Sequence, residues 1–173
     1  MIATCLYPET LLAKHEFGPN VEILKLDVTD ETAVLRLAEQ LKNERIDILI
    51  NNAGIPGPHV SLEDTDIGLW RRMLDVNLIG PFVVSQAFIE QVARSDQKVI
   101  AFVSSRMGSI GLNNTGMSYD YRSSKAGLNM VMKSSRSISR PAGFAPLAFI
   151  PATCLSPAMP VWPQPSALLV CGK

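Results

Sequence analysis

The feature that most constrains this chain is an alternation of mainly apolar runs with stretches of helical spacing. Residues 2–5, 21–26, 46–50 and 99–103 are mainly apolar runs rich in aliphatic side chains, the last with an aromatic residue as well. A half-exposed sheet would alternate polar and apolar positions. Runs without that strict alternation instead mark strands covered on both faces, as in a parallel sheet packed between helices. Between them, Val34, Leu37, Ala38 and Leu41 recur at helical spacing behind Thr29 or Asp30, either of which can cap a helix. A longer helical region runs from about residue 69 to 93 through Leu74, Leu78 and Phe82, with a junction expected at Gly80-Pro81. A last helix is expected from Tyr119 to about Ile138. Strand and helix therefore alternate, and the expected architecture is a doubly wound, Rossmann-like α/β sheet.

The tail has another character. From Pro141 to Lys173 it holds seven prolines and a single charge, Lys173. Prolines at this density interrupt helices and strand ladders alike, and Pro146 interrupts a possible strand between Phe144 and Ile150. The expected division is a partial dehydrogenase-like domain over 1–140 and a mostly irregular tail over 141–173.

Charge and composition exclude several classes. Sixteen basic and sixteen acidic residues balance, which argues against a nucleic-acid partner. No apolar run approaches the ~20 residues of a membrane helix. No basic patch followed by an apolar stretch marks a secretory leader. Cys5, Cys154 and Cys171 are scattered, without metal-ligand spacing, so no metal is expected and a reducing cytoplasm is the expected compartment. His15 and His59 have no partners at ligand spacing, and Arg71-Arg72 reads as a solvated helix face.

The pattern with most chemical content is Tyr121-Arg122-Ser123-Ser124-Lys125. Residues four apart share a helix face, so the Lys125 ammonium can lie beside the Tyr121 phenol. A neighbouring cation favours the ionised form of a phenol and suits it to passing a proton near neutral pH. Tyr119 lacks that spacing. On its own such a pair is commonly two surface side chains.

Four further motifs accompany it. Asp27-Val28-Thr29-Asp30 follows the second run, and Asn51-Asn52-Ala53-Gly54 follows the third. Asp75-Val76-Asn77-Leu78-Ile79-Gly80 lies within the long helical region, and Val103-Ser104-Ser105 closes the fourth run. In this order and spacing the set resembles the short-chain dehydrogenase/reductase family, over about residues 1–138. The stretches 104–110 and 119–129 are similar to its C-factor and sniffer-like carbonyl reductase branch.

The resemblance implies an NAD(P)-dependent oxidoreductase that reduces a small carbonyl or oxidises the matching alcohol. It implies that Tyr121 exchanges a proton with the substrate oxygen and that Lys125 tunes that phenol and binds the nicotinamide ribose. Ser105 would hold the substrate carbonyl, with Ser104 and Ser109 as alternatives. Asn77 would hold a water linking Lys125 to solvent, or simply kink its helix. Asp27 and Val28 would face the adenine, while Asn51, Ala53 and Gly54 would line the ribose, Asn51 also tying neighbouring strands together. The cofactor would be NADP or NAD. Leu6-Tyr7, at the end of the first run, discriminates neither. A homo-oligomer built on the long helices is a further implication.

The chain also departs from the family. Its first run matches the family's second strand, so the first strand and the glycine-rich turn that cradles a pyrophosphate are expected to be missing. In the order 3-2-1-4-5-6 this leaves an empty slot between two central strands. Where the family carries Pro-Gly after its sixth strand, this chain reads Ile150-Pro151-Ala152-Thr153-Cys154. The second reading is therefore a catalytically inactive truncated member serving as a binding fragment.

Overall fold

The computed structural model describes residues 1–9, 19–139, 148–151 and 167–170. His15, Cys154 and Cys171 lie outside this set. Each expected apolar run forms a strand: β1 (Ile2–Cys5), β2 (Glu22–Lys25), β3 (Ile48–Asn51) and β4 (Val99–Ser104). Two more come from the tail, β5 (Ala148–Pro151) and β6 (Ala167–Val170). All six join one sheet in the order β2-β1-β6-β3-β4-β5, and every neighbouring pair is parallel. In β4 the consecutive residues Ile100–Ser104 are all buried, which requires cover on both faces. The doubly wound α/β architecture is thus the observed one.

The slot between β1 and β3 differs from expectation: it is filled. β6 pairs with Ile2, Ala3 and Thr4 on one side and with Ile48, Leu49, Ile50 and Asn51 on the other. Left open, the slot would bury two rows of backbone N–H and C=O groups without partners, which is costly. The uncharged segment Ala167-Leu168-Leu169-Val170 satisfies both rows. The tail expected to be irregular therefore supplies two strands. β5 starts beyond Pro146 and lies at the sheet edge, where the terminal Pro151 removes no bond from a central ladder. The other tail residues are not among those described.

Helix α1 (Glu31–Gln40) is capped by Asp30, whose carboxylate accepts from Ala33 N at 3.0 Å. Asp66 caps α2 (Ile67–Leu74) by accepting from Gly68 N and Leu69 N, so this region starts slightly earlier than its apolar spacing suggests. The expected junction at Gly80-Pro81 is resolved as a π-helical turn over Asp75–Ile79. Its physical cause is Pro81, which lacks an N–H for the Asn77 carbonyl four residues back and crowds it with its ring. The ladder widens, and Gly80 N donates to Asp75 O, five residues back. Helices α3 (Gly80–Ala87) and α4 (Ile89–Ala93) complete the region. Helix α5 spans Tyr119–Ser139. Val34, Leu49, Val84, Phe88 and Val92 are fully buried in the core. Among the described residues no helix is long and apolar enough to cross a membrane.

Candidate active site

Three elements converge at the carboxyl ends of β3 and β4. The π-helical turn presents Asn77, whose side chain is fully buried. Its Oδ1 accepts from Ile55 N at 2.8 Å, and its Nδ2 donates to Ile55 O and to Ser124 Oγ, both at 3.1 Å. Ser124 Oγ in turn donates to Tyr121 O at 2.8 Å. Asn77 thus fastens the loop after β3 to the first turns of α5.

Lys125 lies one helical turn beyond Tyr121, its Nζ 6.0 Å from the centre of the phenol ring. The residue is only 5% exposed, and Nζ donates to Val103 O at 2.9 Å. Burial pushes the ammonium down to about 8. An ammonium has three donors, and Val103 O is the one hydrogen-bond acceptor seen for it among the described residues.

Ser105 follows β4 and caps a short 3-10 turn, Arg106–Gly108, its Oγ accepting from Met107 N at 3.2 Å. That turn packs directly on α5: a Cβ on Gly108 would stand 2.7 Å from the Lys125 carbonyl carbon. The alternative Ser104 is engaged otherwise. It is buried, and its Oγ donates to Asn129 Oδ1 at 2.6 Å, while Asn129 Nδ2 reaches Gly108 O at 3.2 Å. Among the described residues Ser105 Oγ is engaged only as the acceptor from Met107 N, which leaves its O–H to be donated.

The remaining expected residues fall at two depths. Asp27, Val28 and Ala53 line one groove with Leu6, Ile55 and Arg72. Asp27 Oδ1 accepts from Thr29 N at 2.9 Å and Thr29 Oγ1 at 2.7 Å, an Asx turn that shapes the loop after β2. Gly54 sits nearer Asn77 and Lys125, where a Cβ would stand 3.3 Å from Asn77 Oδ1 and 3.6 Å from Lys125 Nζ. Asn51 is not brought to the groove: its Nδ2 donates to Ser85 Oγ at 3.0 Å and Ala101 O at 3.4 Å, tying β3 to α3 and β4. Its buried Oδ1 has no hydrogen-bond partner among the described residues.

Sequence reasoning missed Ser124, the hydroxyl that joins Asn77 to the helix bearing Tyr121. Helical spacing within 121–125 placed it beside the pair, but nothing in the sequence identified its partner 47 residues away. It also missed Ser118, which donates to Pro58 O at 3.1 Å and meets His59 Nδ1 at 3.2 Å. His59 is exposed, as expected, yet it has this partner. Among the described residues no group of three or more His, Cys, Asp or Glu is placed to hold a metal ion.

The arrangement has counterparts in known proteins. The sequence profile of the short chain dehydrogenase family matches residues 8–161. The chain belongs to that family. As a short-chain dehydrogenase it is 39% identical over 106 residues to C-signal of Myxococcus xanthus, covering 61% of this chain and 64% of that protein. Among solved structures it resembles an NADPH-bound carbonyl reductase from chicken fatty liver, with a TM-score of 0.70 and 31% identity over 83% of this chain and 64% of that one. The carbonyl reductase Sniffer of D. melanogaster shares the fold with a TM-score of 0.71 at 24% identity, over 83% of this chain and 65% of that one. The chain spans just under two-thirds of the length of each of these proteins.

Proposed function

We propose that this short-chain dehydrogenase binds a nicotinamide dinucleotide along the carboxyl ends of its strands and interconverts a small carbonyl compound and its alcohol. One observation carries this reading: Lys125 is a buried ammonium with donors to spare among the described residues, set beside Tyr121 and pushed down to about 8. Burying a charge with so few partners is expensive, and a purely structural residue has no reason to bear that cost. A ligand hydroxyl and the Tyr121 phenol are partners that would satisfy it.

The residues present fit such a cofactor. The missing Cβ at Gly54 leaves room beside Asn77 and Lys125. The groove of Leu6, Asp27, Val28, Ala53 and Ile55 offers a largely apolar slot, with Asp75 and Arg72 also in its lining, suited to an adenosine end. When bound, the nicotinamide supplies or accepts the hydride. Tyr121 passes a proton to the substrate oxygen during reduction and recovers it during oxidation. Lys125 holds the phenol in an electropositive setting, and the Ser105 hydroxyl donates a hydrogen bond to the same oxygen. Asn77 holds Ile55 and Ser124 in place and thereby fixes the loop and helix between which the reacting groups meet. The chicken enzyme that shares this fold is a carbonyl reductase with NADPH bound, which favours carbonyl reduction as the direction to assay first.

Two measurements test this. Titration of the purified chain with NADPH and NADH, followed by nicotinamide fluorescence, should show saturable micromolar binding of at least one. Absence of binding by both would overturn the reading in favour of an inactive binding fragment. In an active preparation, Tyr121→Phe should lower kcat on the order of a thousandfold with little change in cofactor affinity. Unaltered turnover would remove Tyr121 from its role.

A further inference from the structure

Directly ahead of α5 the backbone takes a conformation that side-chain-bearing residues avoid. The angle φ is 65° at Gly116, 56° at Met117 and 50° at Ser118. Glycine enters this left-handed region at little cost, whereas a Cβ there crowds the following carbonyl oxygen. Among the described residues the one other such case with a side chain is Lys98. Outliers of this kind persist only where their surroundings over-determine them.

The side chain that holds this turn is Arg122. Its Nε donates to Gly116 O at 3.2 Å and to Met117 O at 3.1 Å. Its Nη2 donates to Thr115 Oγ1 at 2.9 Å. A guanidinium is a rigid planar fork, so bonds to three successive residues fix them relative to one another. No carboxylate competes for it: the ion pairs among the described residues are Lys42–Glu39 and Arg45–Asp96. We propose that Arg122 is a positioning residue for the proton-transfer step: by clamping the left-handed turn over 115–118 it fixes the first turn of α5, and with it the stance of the Tyr121 phenol. That Tyr121 passes a proton rests on the function proposed above; the clamp does not.

The path from clamp to phenol is short. Ser118 O accepts the first helical bond of α5, from Arg122 N at 3.0 Å, so one residue closes both the turn and the helix. Ser118 is buried and fastened to the loop after β3, its N donating to Val60 O at 3.3 Å and its hydroxyl to Pro58 O at 3.1 Å. A serine at a helix start commonly accepts from the N–H groups of the next turn. Here its hydroxyl serves the loop, and the Tyr121 N–H is met by Asp120 Oδ1 at 2.7 Å instead. From the other side Gly57 presses on the same residue: a Cβ there would stand 2.8 Å from Tyr121 Cβ. A change of φ at Met117 or Ser118 therefore turns the start of α5 and carries the phenol with it. Lys125 is anchored separately, through Val103 O, and would stay behind. Successive helix residues point about 100° apart, so Arg122 acts through the backbone and not by touching the reacting atoms.

The clamp and the strain it holds can be varied independently. Arg122→Gln removes the fork and should lower kcat by about tenfold or more, since a shift of about 1 Å can cost on the order of a hundredfold. NADPH affinity, read by nicotinamide fluorescence, should change by less than about twofold, because the cofactor groove is built on other elements. Adding Met117→Gly, which adopts the left-handed turn without a clamp, should restore most of the lost kcat. Adding Met117→Val instead, whose branched side chain resists that conformation, should lower kcat further. Thr115→Val takes away one arm of the clamp and repeats the test in a milder variant, with a smaller loss again answered by Met117→Gly. Lower stability with kcat intact, or a loss of kcat that Met117→Gly and Met117→Val change alike, is what a merely structural arginine would give, and either result would overturn the proposal.

Fluorine NMR reads the clamp without turnover. With fluorotyrosine at the three tyrosine positions, the Tyr121 resonance is the one lost in Tyr121→Phe. Arg122→Gln should shift or broaden that resonance, and Met117→Gly should bring it back; a resonance indifferent to Arg122→Gln would overturn the clamp. The expected responses in a chain that binds neither NADPH nor NADH would leave the clamp standing and sink the proposed function instead.

Discussion

Around the groups proposed for catalysis, the chain is held by bonds between distant residues: Asn77 to Ile55, Asn77 to Ser124 and Lys125 to Val103, spanning 22, 47 and 22 positions. On the groove side, the Asp27 carboxylate holds only Thr29, two residues on, among the described residues. The first half is buried and specified by tertiary structure, whereas the second is a local turn laid on the surface. Chemistry that needs several groups at fixed distances sits where the fold over-determines their positions. A flat adenine ring, the occupant proposed for the groove, would need less, because a slot with an acceptor suffices. Mutations on the two sides should therefore differ in kind: catalytic-side changes should affect stability and turnover together, and groove-side changes chiefly cofactor affinity.

Asn77→Ala should have the largest effect. It leaves the Ile55 N–H and the Ile55 carbonyl without their partner in a buried site, and takes from Ser124 Oγ the bond it accepts while its own donation to Tyr121 O remains. At about 1–3 kcal/mol for each stranded group, partly recovered by relaxation, the loss should be on the order of 4 kcal/mol. Chemical denaturation should show a large drop in midpoint together with lost turnover. A loss below about 1 kcal/mol would mean that the buried network does not hold the site, and the contrast between the two sides would fail.

The next effect is a dependence on pH. Burial disfavours the Lys125 ammonium in the folded chain, moving it from 10.5 to about 8. Below about 8 both folded and unfolded chains carry the proton, and the folded one bears the whole penalty. Between 8 and 10.5 the unfolded chain binds more protons, so this residue makes stability rise with pH; above 10.5 neither is charged and the penalty is gone. Lys125→Met removes the charge at every pH. Its stability relative to the parent should therefore be greatest below pH 8 and should fall as pH rises towards 10.5, by at most on the order of 3 kcal/mol. Loss of the bond to Val103 O offsets the whole curve, so the slope decides. A flat difference would mean that the ammonium is not desolvated.

Gly108→Ala should come third. A Cβ there would meet the Lys125 carbonyl carbon at 2.7 Å and its oxygen at 2.8 Å, so the 3-10 turn must lift off α5. A cost of about 2 kcal/mol is expected from such overpacking, together with reduced kcat, because Ser105 rides on the same turn. Full kcat in a destabilised variant would detach Ser105 from the reaction.

What the sequence made legible follows the same division. Strands and helices could be read because apolar runs and helical spacing are local properties, and Tyr121 and Lys125 because one helical turn joins them. The capping choice between Thr29 and Asp30 needed coordinates, but both candidates were visible. Long-range pairing was not. Nothing near Ser124 names Asn77 as its partner. The π-helical turn hides inside an apparently regular apolar spacing, betrayed only by Pro81 four residues after Asn77. β6 was hidden most completely, since four apolar residues behind a proline-rich stretch carry no local mark of a central strand. Its partners begin at Ile2, more than 160 positions earlier.

The smallest expected effect is also the sharpest test of the groove. Asp27 is partly exposed, and its two bonds both run to Thr29 within one loop. Asp27→Ala should therefore cost only about 0.5–1 kcal/mol of stability, the worth of a local turn. If the groove takes the adenosine end, removing the Asp27 carboxylate should raise KM for the dinucleotide several-fold and leave kcat nearly unchanged, the signature of a contact made equally in ground and transition states. A fall in kcat with KM unaltered would place Asp27 on the catalytic side. The cleft would then have no second half built on other rules, and the groove beside Leu6 and Val28 would need a different ligand.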